Sequence, residues 1–462
     1  MVVAPRPAFE RLDPTLIEAL KMRVVGTLIQ PGDEEYDRAR QTHDPAVDRY
    51  PAVIVRAGDA ADVIRAVTFA REQGLPLAVR SGGHSLAGHG SVDGGVVLDL
   101  SHMKAVSVDP VRQTAWVQAG ATAGDVLTHT QPHGLALATG DTSSVGIGGL
   151  TLGGGMGWLV RKYGLTIDNL TAVEMVTADG RLIVASPNEH PDLFWAVRGG
   201  GGNFGVATAF EFRLAPVSTI VGGALILPPT PAVVRGYADY ALTAPDELTT
   251  IAAVMPLPPH PAIPAEVHGM LTFTILICYV GDLEEGQRVL DPLRALATPL
   301  ADLTGPMPYP ALYQFTAQAA ERHTASVRAG FLDELSDEVI GAILEHSQSR
   351  PAPMGMVQIR ALGGAMARVP KDTTAFAHRD KSFLVAIINM GDGSEVATWT
   401  EALWQRLRPY TAGVAVNFVG DEGDERVREA YPTPTYERLA EVKRRYDPTN
   451  LFRLNQNIQP AG

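Results

Sequence analysis

The sequence predicts an α+β chain folded as two domains, the second built of longer alternating strands and amphipathic helices. Three observations lead there. At 462 residues the chain exceeds what one hydrophobic core usually supports. Residues 51–80 read as strand, helix and strand, the pattern of a βαβ unit. After Pro216 the texture changes to longer alternating strands, "LTFTILICYV" and "SFLVAIINMG", with amphipathic helices such as "SDEVIGAILEHS" among them.

Taken in order, "PAVIVRA" is apolar and β-branched, the composition of a buried strand. The helix that follows has Asp59 as its N-cap and repeats apolar residues at Val63, Val67 and Ala70. Gly74 ends it in a left-handed conformation, and "LPLAVR" returns as a second strand that delivers Arg80 to a loop. Short strands "GVVLDL", "AVSVD" and "TAWVQAG" come next, with "DPVR" as a turn. Thr122 and Asp125 have capping-box spacing for a helix that runs to Gly134. From 140 to 216 the chain is glycine-dense. Those glycines are too irregular for a repeat and too interleaved with apolar residues for a linker, so they predict close backbone approach to something large. The tail, "YERLAEVKRRYDPTNLFRLNQNIQP", reads as a helix followed by an extended, strand-like segment. The change of texture places the domain boundary at 217/218 and the second domain at 218–417.

Composition narrows the function. Acidic residues exceed basic ones by 51 to 38, a net charge of −13, which repels a phosphate backbone and argues against nucleic acid as a partner. With 45% hydrophobic and 19% charged residues, the chain has the apolar mass for two cores. Its longest uncharged stretches are broken by prolines, so no membrane-spanning helix is expected. The start, "MVVAPRPAFERLDP", has neither a long apolar core nor paired arginines, and the expected location is cytoplasmic. No metal site is expected. The lone Cys278 lies in a β-rich run, where a buried structural thiol is the favoured reading.

Two glycine motifs point in different directions. Gly200, Gly202 and Gly205 satisfy G-x-G-x-x-G, but a helical segment precedes them and a strand follows, the reverse of what a dinucleotide fingerprint requires. In "RSGGHSLAGHG", successive amides of the Ser-Gly-Gly turn can form an anion-binding nest beside His84, while a plain tight turn is equally compatible with that segment alone. His89 reads as a loop residue.

Four motifs in order, "PLAVRSGGHSLAGHG", "VGIGGLTLGGGMGWLVRKYGLTIDNL", "FWAVRGGGGNFGV" and "YDPTNLFRLNQNI", span nearly the whole chain. Together they resemble the berberine bridge enzyme-like branch of the vanillyl-alcohol oxidase superfamily of flavoproteins. The resemblance implies a two-domain FAD-binding fold of the vanillyl-alcohol oxidase type, with 1–217 as the FAD-binding domain, an antiparallel-sheet substrate domain over the flavin, and 418–462 returning to the first domain. It implies FAD bound covalently, an imidazole nitrogen of His84 joined to the 8α-methyl carbon. Arg80, Ser81, Gly82, Gly83, Ser85 and Gly88 would serve the pyrophosphate side. Gly140, Thr142, Gly146, Gly149, Gly153 and Gly157 would line flavin and phosphates, Val206 the adenine side, and Asn455 and Asn457 the polar edge of the ring. Val145 would lie near flavin C4a, where bulk governs access of oxygen. The implied activity is hydride transfer from a C–H next to oxygen or nitrogen of a small molecule (alcohol, sugar, amine or secondary metabolite) to flavin, then to molecular oxygen. A dehydrogenase with another acceptor, or a non-redox protein retaining the fold, are the alternatives.

The chain departs from the family pattern twice. Where many members carry a second tether, a cysteine in "C-x-x-V-G", this chain reads "TSSVG" with Thr142 at the cysteine position, so a single attachment is expected. Where many carry a tyrosine base in "Y-x-N-Y" on a strand facing the flavin, it reads "AVNF": Ala415 and Phe418 replace the tyrosines and Asn417 remains. The base is then unassigned. Gln358 and Arg360, which alternation places on one side of a strand, and His378, since an unperturbed imidazole titrates near neutrality, are the candidate replacements.

Overall fold

The structure is a computed structural model that describes residues 12–259, 263, 265–349 and 354–462; the amino-terminal residues 1–11, on which most of the reading of the leader rests, lie outside them. Strands Val53–Arg56 and Leu77–Arg80, joined by the helix Ala60–Glu72, do not pair with each other. Both pair in parallel with Val96–Asp99, which lies between them, and Thr27–Ile29 closes one edge antiparallel. Val53, Val55, Val96 and Leu98 are fully buried, as strands covered on both faces must be. Asp59 caps the crossover helix by accepting from the Asp62 amide, and Gly74 takes φ +65° at its end.

A second sheet runs in the order Val106–Asp109, Thr114–Gln118, Val206–Arg213, Leu170–Val176, Leu182–Ala185, entirely antiparallel. Helix Ala123–Thr130 opens on the full Thr122–Asp125 capping box. The third sheet is the largest. Its strands follow the order Ala301–Asp302, Thr219–Leu227, Leu271–Tyr279, Leu248–Pro256, Met354–Ala361, Phe383–Met390, Ala325–Leu332, again antiparallel. Helices Pro231–Thr243, Asp337–His346 and Ser394–Leu407 bury one face of it, with Tyr237, Phe273 and Leu403 in the shared core. Cys278 is fully buried in this sheet, and burial pushes its thiol pKa up. Among the described residues no helix is long and apolar enough to cross a membrane.

Two local expectations are corrected. The stretch after helix Thr433–Tyr446 forms no strand, because its backbone bonds to side chains instead of to a ladder. Asp447 accepts from the amides of Leu451 and Phe452 (both 2.8 Å), while the fully buried Lys443 ammonium donates to Asp447 Oδ2, Asn203 O and Phe452 O at 2.7–2.8 Å. The "AVNF" segment is no strand either. After Gly413, at φ +84°, the chain leaves its two hydrogen bonds with Phe331 and coils into a short 3-10 turn, Val416–Phe418.

Candidate active site

A cavity of about 770 Å³, within the usual range for cofactor sites, opens between the two amino-terminal sheets and the face of the large sheet away from its three covering helices, part of which is covered by Trp158, Tyr309 and Tyr313. Arg80, Ser81, Gly82, Gly83, His84 and Ser85 line it, together with Gly140, Thr142, Val145, Gly146 and Gly149 from the glycine-dense segment. Val206, Asn455, Gln358 and Arg360 line it as well.

The two loops that carry these residues cross backbone to backbone. A Cβ on Gly82 would collide with the Gly146 amide, and one on Gly146 with Gly82, so each glycine admits the other loop. Arg80 holds this crossing from behind. Its guanidinium donates to Asp99 Oδ2 (2.9 Å), Ala39 O (2.5 Å) and Gln41 O (3.1 Å), which leaves little of it for a pyrophosphate. Gly149 and Gly202 differ from that pair: both line the cavity, and a Cβ on either would meet no protein atom. Their backbone is open to a ligand. Asn455 also lines the cavity, and its Oδ1 is buried without a donor among the described residues. Open glycine backbone and an orphaned amide oxygen fit a large planar group with a polar edge, as FAD is.

Three histidines gather on one wall. The His84 ring stacks on His43 with centroids 3.7 Å apart, and His43 meets His323 edge-on at 5.0 Å. His84 Nε2 shares a 2.9 Å hydrogen bond with Ser144 Oγ, so Nδ1 is the remaining ring nitrogen. Burial, and then the neighbouring imidazoles, push His84 down to about 3 despite its bond to Ser144; burial likewise pushes His43 down to about 4. Both rings are therefore neutral at neutral pH. His89 lines the cavity too and is lowered to about 4 by burial and by Arg49, against Asp421.

Elsewhere in the same lining, Arg360 Nη2 donates to Asp141 Oδ2 at 2.6 Å and Nε donates to Gln358 Oε1 at 2.9 Å. Its guanidinium stands 5.4 Å from the centre of the Phe418 ring. Asp141 supplies the one carboxylate lining the cavity among the described residues. Its backbone is clamped: Thr316 Oγ1 donates to Asp141 O (2.6 Å) and Tyr313 OH to Gly140 O (3.0 Å).

Five candidates named from sequence lie outside the lining. A Cβ at Gly153 would collide with the Asn417 side chain and one at Gly157 with Thr139 O, so these glycines admit protein rather than cofactor. Gly88 sits at φ +70° against Val47, its carbonyl accepting from Arg49 Nη1 at 2.9 Å. Asn457 stands two residues beyond Asn455 and does not reach the cavity. His378 is buried beside Phe331 with Nε2 bonded to Glu429 O (2.9 Å), its pKa lowered chiefly by burial, and it is withdrawn as a base. Ala415 is corrected as well: it is packed in the core at 4% exposure, while Val416, Asn417 and Phe418 line the cavity.

Asp141, Ser144, His43 and His323 escaped the sequence reading. The first two stand inside "GDTSSVG", where an Asp and a Ser beside a cofactor loop were a usable signal; the two histidines stand in "QTHDP" and "ERHTAS", which carry no motif. The G-x-G-x-x-G glycines lie between helix Pro191–Ala196 and strand Val206–Arg213, so their order is the reverse of the dinucleotide arrangement.

Residues 51–186 match the model of the FAD binding domain family, and residues 414–459 that of the berberine and berberine like family. An uncharacterized FAD-linked oxidoreductase of Bacillus subtilis is 33% identical over 95% of this chain and 98% of its own length. The (R)-6-hydroxynicotine oxidase of Paenarthrobacter nicotinovorans is 32% identical over 96% of this chain and 99% of its own. The crystal structure of 6-hydroxy-D-nicotine oxidase from Arthrobacter nicotinovorans superimposes with a TM-score of 0.84 at 29% identity, covering 95% of this chain and 99% of that one. A variant of berberine bridge enzyme shares the fold with a TM-score of 0.85 at 22% identity over 97% of this chain and 99% of that one. The mixed fold, the cofactor class and the enzymatic class thus rest on sequence and structure together, and the chain belongs to the berberine bridge enzyme-like family of FAD-linked oxidoreductases.

Proposed function

We propose that this oxidoreductase is an oxidase acting on a small molecule at a C–H bond next to oxygen or nitrogen, with FAD attached once, through His84, and molecular oxygen as acceptor. The observation that carries the reading is one cavity lined both by a neutral, oriented His84 and by the Arg360–Asp141–Gln358 cluster. FAD, when bound, supplies the two-electron acceptor. Asp141 takes the proton from the substrate hydroxyl or amine, and Arg360 orients its carboxylate. That assignment would fill the place of the missing tyrosines. His84 Nδ1 carries the lone pair for attachment when Nε2–H donates to Ser144 Oγ. Thr142, also in the lining, has no thiolate to form a second tether.

The name of the (R)-6-hydroxynicotine oxidase relative supports oxygen as acceptor. Anaerobic addition of candidate alcohols and amines to the purified yellow protein tests the reading. Bleaching followed by rapid recovery of colour in air is the expected result; recovery only with an added electron acceptor indicates a dehydrogenase, and no bleaching by any candidate indicates a non-redox role.

A further inference from the structure

The face of the large sheet that roofs the cavity carries few groups that hydrogen-bond. Registry makes this explicit: Arg360 stands opposite Ile251, Ile251 opposite Leu276, and Leu276 opposite Ala224, one row across four strands on a single face. The next row runs Gln358, Ala253, Thr274, Ile226. All eight line the cavity, and beyond them Met356 extends the apolar lining. Thr274 shares its hydroxyl with Thr272 at 3.1 Å. The polar side chains left on these two rows are Gln358 and Arg360.

Charge is equally restricted. Arg80 and Arg360 are the cationic side chains of Lys or Arg type that line the cavity among the described residues, and both are paired, with Asp99 and Asp141 respectively. A cationic amine would enter beside a guanidinium, and the one carboxylate it could meet, Asp141, already has its charge balanced by Arg360. A saccharide would bring a hydroxyl on nearly every carbon against Ile251, Leu276 and Met356, where desolvated hydroxyls stay unsatisfied.

We propose that the substrate is a neutral, mainly apolar molecule, of the class of an aromatic or polycyclic alcohol, whose single oxygen meets the Gln358–Arg360–Asp141 cluster while Ile251, Leu276 and Met356 pack its hydrocarbon. Sugars and protonated amines are rejected by the same surface. This deepens the oxidase reading and rests on it for the orientation of the reacting oxygen.

Three probes decide it: naphthylmethanol, its protonated isostere naphthylmethylamine, and cellobiose, titrated into the holoprotein with flavin absorbance as the readout. The alcohol is expected to bind at least about tenfold more tightly than the amine, which corresponds to about 1.4 kcal/mol. Cellobiose is expected to give no saturable change. Met356→Asp should invert the order of alcohol and amine, with Met356→Gln taking its place, and weakening the alcohol, where the aspartate prevents folding. Binding of cellobiose or the amine as tightly as the alcohol overturns the proposal, and so does an alcohol that produces no change. If the purified protein holds no flavin, the oxidase reading fails on its own, and naphthyl fluorescence in the same titrations still decides the ligand class.

Discussion

Arg360 and Asp141 face each other across the seam between the sheet roof and the glycine floor, Nη2 to Oδ2 at 2.6 Å, with side-chain exposures of 8% and 14%. The pair joins residues 219 positions apart and ties the glycine-dense segment to the large sheet inside the cavity. Removing either partner alone leaves an uncompensated charge in low dielectric, which destabilises by about 3–5 kcal/mol in comparable buried pairs.

Asp141→Asn keeps the hydrogen bond from Arg360 and removes proton-accepting capacity. If Asp141 takes the substrate proton, reduction of the flavin by substrate should slow by about 10²–10⁴-fold. Stopped-flow anaerobic mixing measures it, with flavin content as the control for folding. A rate within twofold of wild type assigns the proton to another group.

His84→Ala should release the flavin on acid precipitation, where the wild-type protein keeps its colour in the pellet. Ser144→Ala should still bind FAD but attach it more slowly, because the hydrogen bond at Nε2 no longer selects the tautomer with a free Nδ1. Peptide mapping of residues 80–90 locates the adduct. A flavin-free peptide from yellow wild-type protein shows that the attachment lies elsewhere or does not exist.

A tyrosine restored at each position of "AVNF" should have opposite consequences. Ala415→Tyr places a ring in a core site with 4% exposure, and overpacking of that kind typically costs about 1–3 kcal/mol. Phe418→Tyr places its hydroxyl in the cavity near Arg360 and should leave the melting temperature within a few degrees while altering turnover. Thermal unfolding of the two variants side by side separates them. An Ala415→Tyr protein as stable as wild type contradicts a packed core at that position.

These outcomes also mark what the sequence makes legible. Helix caps at Asp59 and Thr122–Asp125 and the buried strand of Cys278 are local features, encoded within a few residues, and each stands where its signal puts it. Contacts between distant segments have no such signal. Nothing near His43 announces that its ring will lie on His84, and Asp141 gains significance only when Arg360 arrives from the large sheet. The glycines show a second limit. A glycine reports that something comes close, not what: at Gly149 the space is open, whereas at Gly153 and Gly157 the neighbour is the protein itself. Likewise "AVNF" has the alternation of a strand but is too short to exclude a turn.

His89 ties stability to acid. Burial and Arg49 lower its folded-state pKa to about 4 from an ordinary value of 6.5, with Asp421 opposing. Between those values the unfolded chain binds the proton and the folded one does not, so the stabilisation is complete above about pH 6.5 and is lost as pH falls toward 4. His89→Gln removes this term, which amounts to about 1–3 kcal/mol after allowance for screening. Melting temperatures followed from pH 7 to about 4 should fall less steeply in the variant. Parallel curves place the titration elsewhere.

Val145 bears on oxygen. Its backbone is fixed between Thr142, whose carbonyl accepts its amide at 3.3 Å, and Ala123, whose amide donates to its carbonyl at 2.9 Å, so its side chain lines the cavity from a rigid base. A leucine there adds one methylene that cannot retreat by moving the loop. If this position gates the approach of oxygen to reduced flavin, Val145→Leu should slow reoxidation at least about tenfold, equivalent to about 1.4 kcal/mol in the barrier. The reductive half-reaction should stay nearly unchanged, because the Asp141–Arg360 pair is untouched. Stopped-flow traces of both half-reactions decide it: a slowed reductive step points to a general distortion of the loop, and equal reoxidation rates remove Val145 as a reason to prefer an oxidase over a dehydrogenase.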